Sequence, residues 1–374
     1  MRLLSTCLLL LALLLNCARA EEVFPAAKYG KGELRYIDSV PVAILVGTPE
    51  EIGAQHAALL AKPGAEVLAF PKRMFTELGV GFFYPLAAQA GKTLMLNAPE
   101  RYQQEVGATT KQAHLEPDVL AVGNTLLELR RVGCSSLIVE GAKSATGSPL
   151  FGRNFDFPPF GLLDRYGVVT VTRPEGRHAF VSVGFPGFVG VLSGMNDAGL
   201  CVGTLDVYET ADGSSRFDPT GVPLALVFRQ ILEECTTVVE AEALLKRTHA
   251  TTHVNLAVCD CEHGAIFEIT PKQVGRRDPQ ESLLTCTNHF RLPGLAVNEE
   301  CWRYDRLQAA GEKRTLSVAD IQNGLHQANQ GELTLQTMVF EPNELVLHLA
   351  MGSPPSSQHK MHRLELKELL SPKN

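Results

Sequence analysis

The sequence predicts an α+β fold in which large, mostly antiparallel sheets are covered by helices. Three observations carry that reading. From the end of a short leader to about Arg131 the chain is mainly helical in pattern. At Gly133 it changes to short β-branched or aromatic runs separated by Gly, Pro, Asn and Asp turns such as Asn196-Asp197-Ala198-Gly199. Later helical stretches then come in blocks between groups of strands, which argues against a doubly wound parallel sheet. The 374 residues hold no internal repeat and no Pro/Ser-rich linker, so one compact unit is expected.

Taken in order, residues 1–20 have Arg2 near the start, an apolar core over 8–15 and the small-x-small site Ala18-Arg19-Ala20. That is the pattern of a secretory signal peptide, with a mature chain beginning near Glu21 and exported to the periplasm or outside. Cys17 would permit a lipoprotein, but Asn16 stands before it where a small residue is wanted, so this is the minor alternative. No later stretch reaches the roughly eighteen consecutive apolar residues of a spanning helix, and no integral membrane segment is expected after signal removal. Residues 42–46 read as a strand ending at Gly47. Thr48-Pro49-Glu50-Glu51 then opens a helix with an N-cap, a proline at the first position and a capping box, running to about Lys62. Helices follow over 99–113 and 117–130.

Strands are predicted over 135–139, 150–151, 167–172, 179–183, 187–192 and 200–205, and a helical block over 223–246. Strands at 254–258 and 265–269 are joined by a turn at 259–264, and another strand covers 283–288. Helices cover 298–310 and 317–327, the latter capped by Ser317 with Asp320. A hairpin of 334–340 and 344–351 closes the chain.

A hydrophobic share of 45 % and a charged share of 20 % supply an ordinary globular core. The net charge of −7 and a pI of about 5.9, with no Lys/Arg run, exclude nucleic acid as a partner class. Of nine cysteines, Cys7 and Cys17 fall in the leader. The remaining seven are an odd number, which in an exported chain flags at least one free thiol.

Cys134 is the candidate. It sits where the helical pattern gives way to strand, after Gly133, whose missing Cβ opens backbone conformations denied to other residues. Ser135 and Ser136 flank it, and Arg153 and Asp156 return on what should be the partner strand. A buried cysteine packed as a small hydrophobe is the plain alternative. Three other patterns are set aside. Cys259-Asp260-Cys261-Glu262-His263 lacks a second cluster at zinc-site spacing and reads as a hairpin turn. His289 beside Asn288 lacks the local cysteine signature of a papain-like triad. No Gly-x-Ser-x-Gly marks a serine hydrolase.

Gly133-Cys134-Ser135, Gly152-Arg153-Asn154-x-Asp156, Gly194-Met195-Asn196-x-x-Gly199-Leu200 and Thr287-Asn288, in that order and spacing, resemble the N-terminal-nucleophile (Ntn) hydrolases of the isopenicillin N acyltransferase group. Penicillin V acylase, bile salt hydrolase and acid ceramidase are cousins of that group. The run Gly47-Thr48-Pro49-x-Glu51-Ile52-Gly53 and the closing hairpin extend the likeness over nearly the whole mature chain.

The resemblance implies a four-layer αββα sandwich of antiparallel sheets and a precursor that cuts itself between Gly133 and Cys134. The product would be an α/β heterodimer, with 21–133 a helical N-terminal segment and 134–374 the catalytic segment. It implies Cys134 as nucleophile, its new α-amine as base, Arg153 as the charge beside the thiol and Asp156 as the group orienting the amine. Asn288 is the implied oxyanion donor, aided by the main-chain N–H at Asp206, where many cousins carry asparagine. Arg303 matches a later arginine of some cousins and is a possible substrate contact. No metal or organic cofactor is implied. The expected activity is a self-processing cysteine amidohydrolase or acyltransferase acting on a small acyl amide through a thioester. The alternatives are a peptide or amino-acid amide hydrolase of the same fold and an inactive secreted binding protein that kept it.

Overall fold

A computed structural model describes residues 23–77, 79–125, 133–298 and 300–371. The predicted signal segment and the end of the helix predicted over 117–130 lie outside them. The chain begins with strands β1 (Ala27–Tyr29), β2 (Gly32–Ile37) and β3 (Val40–Gly47). Helix α1 (Pro49–His56) follows and continues into a π-helical turn, Ala57–Ala61. The predicted capping box is present, with Thr48 accepting from the Glu51 N–H and Glu51 accepting from the Thr48 N–H. Helices α2 (Ala65–Glu77), α3 (Tyr84–Leu96), α4 (Glu100–Ala113) and α5 (Pro117–Thr125) complete the N-terminal segment. That segment is therefore helical only after three strands.

Next come β4 (Gly133–Val139), β5 (Leu150–Asp156), β6 (Val168–Pro174), β7 (Phe180–Gly184), β8 (Ser193–Asn196) and β9 (Cys201–Asp206). The predicted 223–246 block is two helices, α6 (Leu224–Glu234) and α7 (Val238–Arg247). Strands β10 (Val254–Cys259), β11 (Gly264–Ile269), β12 (Val274–Arg277) and β13 (Leu283–Cys286) lead to helices α8 (Trp302–Ala310) and α9 (Val318–Gln327). The chain closes with β14 (Thr334–Glu341), β15 (Val346–Met351), β16 (His362–Glu365) and a short α10 (Lys367–Leu370).

Among the described residues these strands form a ten-stranded sheet, β1-β2-β3-β6-β7-β8-β9-β10-β11-β12, and a six-stranded sheet, β13-β4-β5-β14-β15-β16. Pairing is antiparallel except for β3 with β6. The sheets face each other across one apolar layer that includes Val42, Val169, Val181 and Ala257 from the first and Ile138, Phe151, Met338 and Leu347 from the second. The Val, Ile, Phe, Met and Leu side chains among these each contribute roughly 1.5–3 kcal/mol on full burial. On the outer face of the large sheet, Val227, Ile231 and Leu244 of α6 and α7 pack on Val202, Leu256 and Phe267. On the outer face of the small sheet, Leu307, Ile321 and Leu325 of α8 and α9 pack on Leu137, Leu150 and Val339. The result is the four-layer αββα sandwich.

One predicted strand is absent. Residues 187–192 form no ladder, because their backbone groups bind elsewhere. Gly187 N–H donates to His56 Nε2 at 2.9 Å, Val189 N–H to Asn124 Oδ1 at 2.7 Å and Val191 N–H to the Ala225 carbonyl at 2.8 Å. The 259–264 segment is a hairpin turn as predicted, held by Asp260 Oδ1 accepting from the N–H groups of Glu262 and His263.

Candidate active site

Cys134 is the second residue of β4, paired with Phe155 of β5, while Ser136 pairs with Arg153 and Gly133 with Asp156. Opposed residues of an antiparallel pair share a face. Arg153 therefore lies on the Cys134 face, and its Nη2 is 3.2 Å from Cys134 Sγ. Arg153 is fully buried and is steadied by Nη1 donating to the Leu192 carbonyl at 2.9 Å. The hydroxyls of Ser135 and Ser136 are buried and have no hydrogen-bond partner among the described residues, so neither contacts the thiol as an acceptor or donor.

Asn288 and Arg303 complete the surroundings of Cys134. The Cys134 N–H donates to Asn288 Oδ1 at 2.9 Å, and Asn288 Nδ2 donates to the Asp206 carbonyl at 2.7 Å. Arg303, buried near the start of α8, donates from Nη1 to the Cys134 carbonyl and from Nη2 to Asn288 Oδ1 at 2.9 Å. Sequence reading placed Arg303 as a possible substrate contact; here it touches the backbone of Cys134 itself.

Asp156, one step out of phase with Arg153, turns the other way. Its carboxylate accepts from Thr334 Oγ1 at 2.6 Å and Gln330 Nε2 at 2.7 Å, and lies 3.8 Å from Arg303 Nη1. Asn288, not Asp156, takes the Cys134 N–H. The Asp206 carboxylate accepts from Arg216 Nη2 at 3.3 Å, and that guanidinium stacks on Tyr208 at 4.1 Å. An acidic residue is thus accommodated at this position by an ion pair.

Burial pushes the Cys134 thiol up to about 11, against the pull of Arg153, whose charge favours the thiolate. The thiol is therefore protonated. One expectation needs correction. Gly133 was expected to be required for its conformational freedom, yet it is not among the positive-φ residues. What its missing Cβ provides is room for Gln330: a Cβ there would stand 2.1 Å from Gln330 Nε2 and 3.2 Å from Asp156 Cβ, so a side chain would displace that amide.

The sequence reading missed Gln330 and Thr334, which hold Asp156, and Arg216, which pairs with Asp206. Single polar residues 174 and 178 positions from Asp156 carry no spacing signal. Burial also pushes the Asp156 carboxyl above the usual carboxylate range, opposed by the bonds from Thr334 and Gln330.

Beside Cys134, Phe155 and Leu192 line an apolar cleft of about 110 Å³. Its other walls are Leu68 and Phe70 of α2, Val119 and Gly123 of α5, and Phe185 and Phe188. Phe155 and Leu192 also border a smaller cavity of about 40 Å³ that reaches Thr204, Asp206 and His253. Among the described residues all seven cysteines are free, and all but Cys261 are buried.

Comparison with solved structures finds similarity to a Caenorhabditis elegans ortholog of N-acylethanolamine-hydrolyzing acid amidase, at 17 % identity and a TM-score of 0.45, covering 62 % of this chain and 100 % of that one. A Clostridium perfringens conjugated bile acid hydrolase mutant follows at 15 % identity and 0.43, covering 63 % and 93 %. Penicillin V acylase of Agrobacterium tumefaciens is at 15 % and 0.41, covering 58 % and 83 %. An uncharacterized protein of Archaeoglobus fulgidus is 23 % identical over 327 residues, 70 % of this chain. The chain spans about half the length, 53 %, of that curated relative. The model of the family described as acyl-coenzyme A:6-aminopenicillanic acid acyl-transferase matches residues 143–356, more than half of the chain and all of it downstream of Cys134. By that match the chain belongs to the acyl-coenzyme A:6-aminopenicillanic acid acyl-transferase family.

Proposed function

We propose that this protein is an exported, self-processing cysteine amidohydrolase or acyltransferase that cleaves a linear carbon–nitrogen amide bond. The observation that carries the reading is the convergence of Arg153, Asn288, Arg303 and the Asp156 main chain on the thiol, amide and carbonyl of one residue, Cys134. A cysteine packed only as a small hydrophobe needs none of them.

In the first stage Cys134 Sγ attacks the Gly133 carbonyl carbon. The carbon–nitrogen bond breaks as the carbon–sulfur bond forms, and the departing nitrogen takes up the thiol's proton. Water then hydrolyses the thioester, leaving a Gly133 carboxylate and a Cys134 with free thiol and α-amine. An α-amine has a reference pKa of about 7.7–8.0, so it accepts a proton near neutral pH without a histidine. In turnover the amine takes the thiol proton and Sγ attacks the acyl carbonyl. Asn288 and the Asp206 main-chain N–H are the donors assigned to the oxyanion. The leaving amine departs with the proton held by the α-amine, and water or an acceptor amine resolves the thioester. The cleft beside Cys134 is lined by Leu, Val, Pro and Phe side chains, which suits an apolar acyl group.

Intact-mass measurement of the wild type and Cys134→Ala tests this. The wild type should give two fragments that meet at Cys134 and should release amine from a panel of acyl amides, and the variant should stay one chain. An uncut wild type whose thiols also resist alkylation overturns the reading, and cleavage that persists in Cys134→Ala assigns the break to another protease.

A further inference from the structure

We infer that Asn255 and Glu268 are positioning residues that hold Asn288 where the reaction needs it; the inference rests on the function proposed above. The two are directly opposed in register on β10 and β11 and are both fully buried. Their neighbours along the same face, Ala257, Cys259 and Ile266, belong to the apolar layer between the sheets. A carboxylate and an amide in that layer are costly unless something there requires them.

What requires them is the segment carrying Asn288. The chain leaves the β13 ladder after Cys286 and crosses toward the other sheet, so the backbone groups beyond it have no strand partner. Asn255 Nδ2 donates to the Thr287 carbonyl at 3.0 Å and to the His289 carbonyl at 2.9 Å, the two carbonyls that bracket Asn288. Glu268 Oε1 accepts from the Arg291 N–H at 2.8 Å and Oε2 from the Leu292 N–H at 3.0 Å. Arg277 Nε, 2.7 Å from Oε1, holds that carboxylate in place. Asn255 Oδ1 meanwhile is buried without a partner among the described residues. The orientation of this amide is therefore set by its two donated bonds, and an acceptor goes unsatisfied to keep them.

The consequence is geometric. Asn288 bonds at once to the Cys134 N–H, the Asp206 carbonyl and Arg303. A shift of its backbone by about 1 Å breaks such an arrangement and can lower a rate on the order of 100-fold.

The test compares Asn255→Leu, which keeps the volume and removes the donors, with Asn255→Asp, which keeps the shape and puts an acceptor against both carbonyls. Glu268→Gln, which keeps one acceptor, is the conservative variant. Cys259→Ala, on the same strand and face, controls for lost stability. Processed enzyme with an acyl amide should lose roughly 10- to 100-fold in kcat at nearly unchanged KM in both Asn255 variants. Glu268→Gln, which loses one acceptor and keeps the other, should lower kcat by less than either Asn255 variant, and Cys259→Ala should lower Tm without changing kcat. Hydrogen exchange of the residue-134 amide in the uncut Cys134→Ala chain reads the same brace without activity: its protection should fall in the Asn255 variants and hold in the control. Full kcat and full protection in Asn255→Leu overturn the inference, as does a loss no larger than that of the control at equal Tm. A wild type inactive on every amide refutes the proposed function instead, and the exchange measurement still decides whether Asn255 holds Asn288.

Discussion

Replacing Arg229 with methionine tests how the N-terminal segment is fastened to the rest of the molecule. Arg229, on α6, is 3 % exposed and binds Glu105 of α4 through both terminal nitrogens, at 2.9 and 2.6 Å. Its Nε donates to Glu233 at 2.8 Å and its Nη1 to the Val189 carbonyl at 3.0 Å. The guanidinium lies over the rings of Tyr102 and Phe180, and Tyr102 donates its hydroxyl to Glu233 at 2.8 Å. Methionine fills much of the volume but leaves the Glu105 carboxylate, 2 % exposed, without a cation, while Glu233 keeps Arg101, whose Nε is 3.0 Å from Oε2. Removing one partner of such a buried pair costs about 3–5 kcal/mol. Burial already raises the Glu105 pKa against the pull of Arg229, so without that pull the carboxyl protonates more readily and the loss shrinks in acid. Urea unfolding of the single-chain Cys134→Ala background, with and without Arg229→Met at pH 8 and pH 5.5, measures both effects. A loss below about 1 kcal/mol at pH 8, or one of equal size at both pH values, refutes the reasoning. Adding Glu105→Gln to Arg229→Met should restore part of the stability, because the carboxylate left without a cation is then gone.

Two other perturbations have definite signs. His56 is buried, accepts the Gly187 N–H on Nε2 and is held to a pKa of about 4 by burial and by Arg229. The unfolded chain protonates near 6.5, so it binds the extra proton first; stability is fully present above pH 6.5 and about 3 kcal/mol is lost as pH falls toward 4. His56→Gln should flatten that part of the stability–pH curve, and identical slopes in the two proteins would sink the assignment. In Gly133→Ala the new methyl displaces the Gln330 amide from Asp156. The chain should fold with about 1 kcal/mol of lost stability and cleave itself more slowly in a mass-spectrometric time course, while cleavage at the wild-type rate would show that Gln330 has no part in it.

The local elements were legible because their signals are local. The Thr48–Glu51 and Ser317–Asp320 capping boxes and the closing hairpin are present as the sequence predicts. Residues 187–192 were misread because a β-branched, apolar run beside glycines looks like strand. Its backbone is instead taken up by His56, Asn124 and Ala225, which no window on that run contains. The site divides the same way. Cys134, Arg153 and Asp156 lie on two adjacent strands and could be found from spacing, and Asn288 and Arg303 from the family pattern. Gln330, Thr334 and Asn255 could not, since each reaches the site through a single hydrogen bond or pair of bonds across the fold, and Arg216, ten residues from Asp206, lies in a loop with no periodic pattern to point it there.

That division bears on when the proposed self-cleavage can occur. Within the pair β4–β5 alone, Cys134 has only Arg153 and the Asp156 main chain beside it. Asn288 arrives by a segment bridging the two sheets, Arg303 from a helix on the outer layer, and the support of Asp156 from the residues leading into β14. These contacts join residues 154, 169 and 178 positions apart, so they close late relative to local hairpins. A hairpin that formed first would hold a protonated, unassisted thiol against the Gly133 carbonyl and would not react. Scission should therefore follow complete folding of the sandwich, and in a refolding experiment the cut chain should appear only after native fluorescence is recovered. Cleavage that keeps pace with early collapse would mean that the strand pair suffices and that Asn288 and Arg303 serve turnover alone.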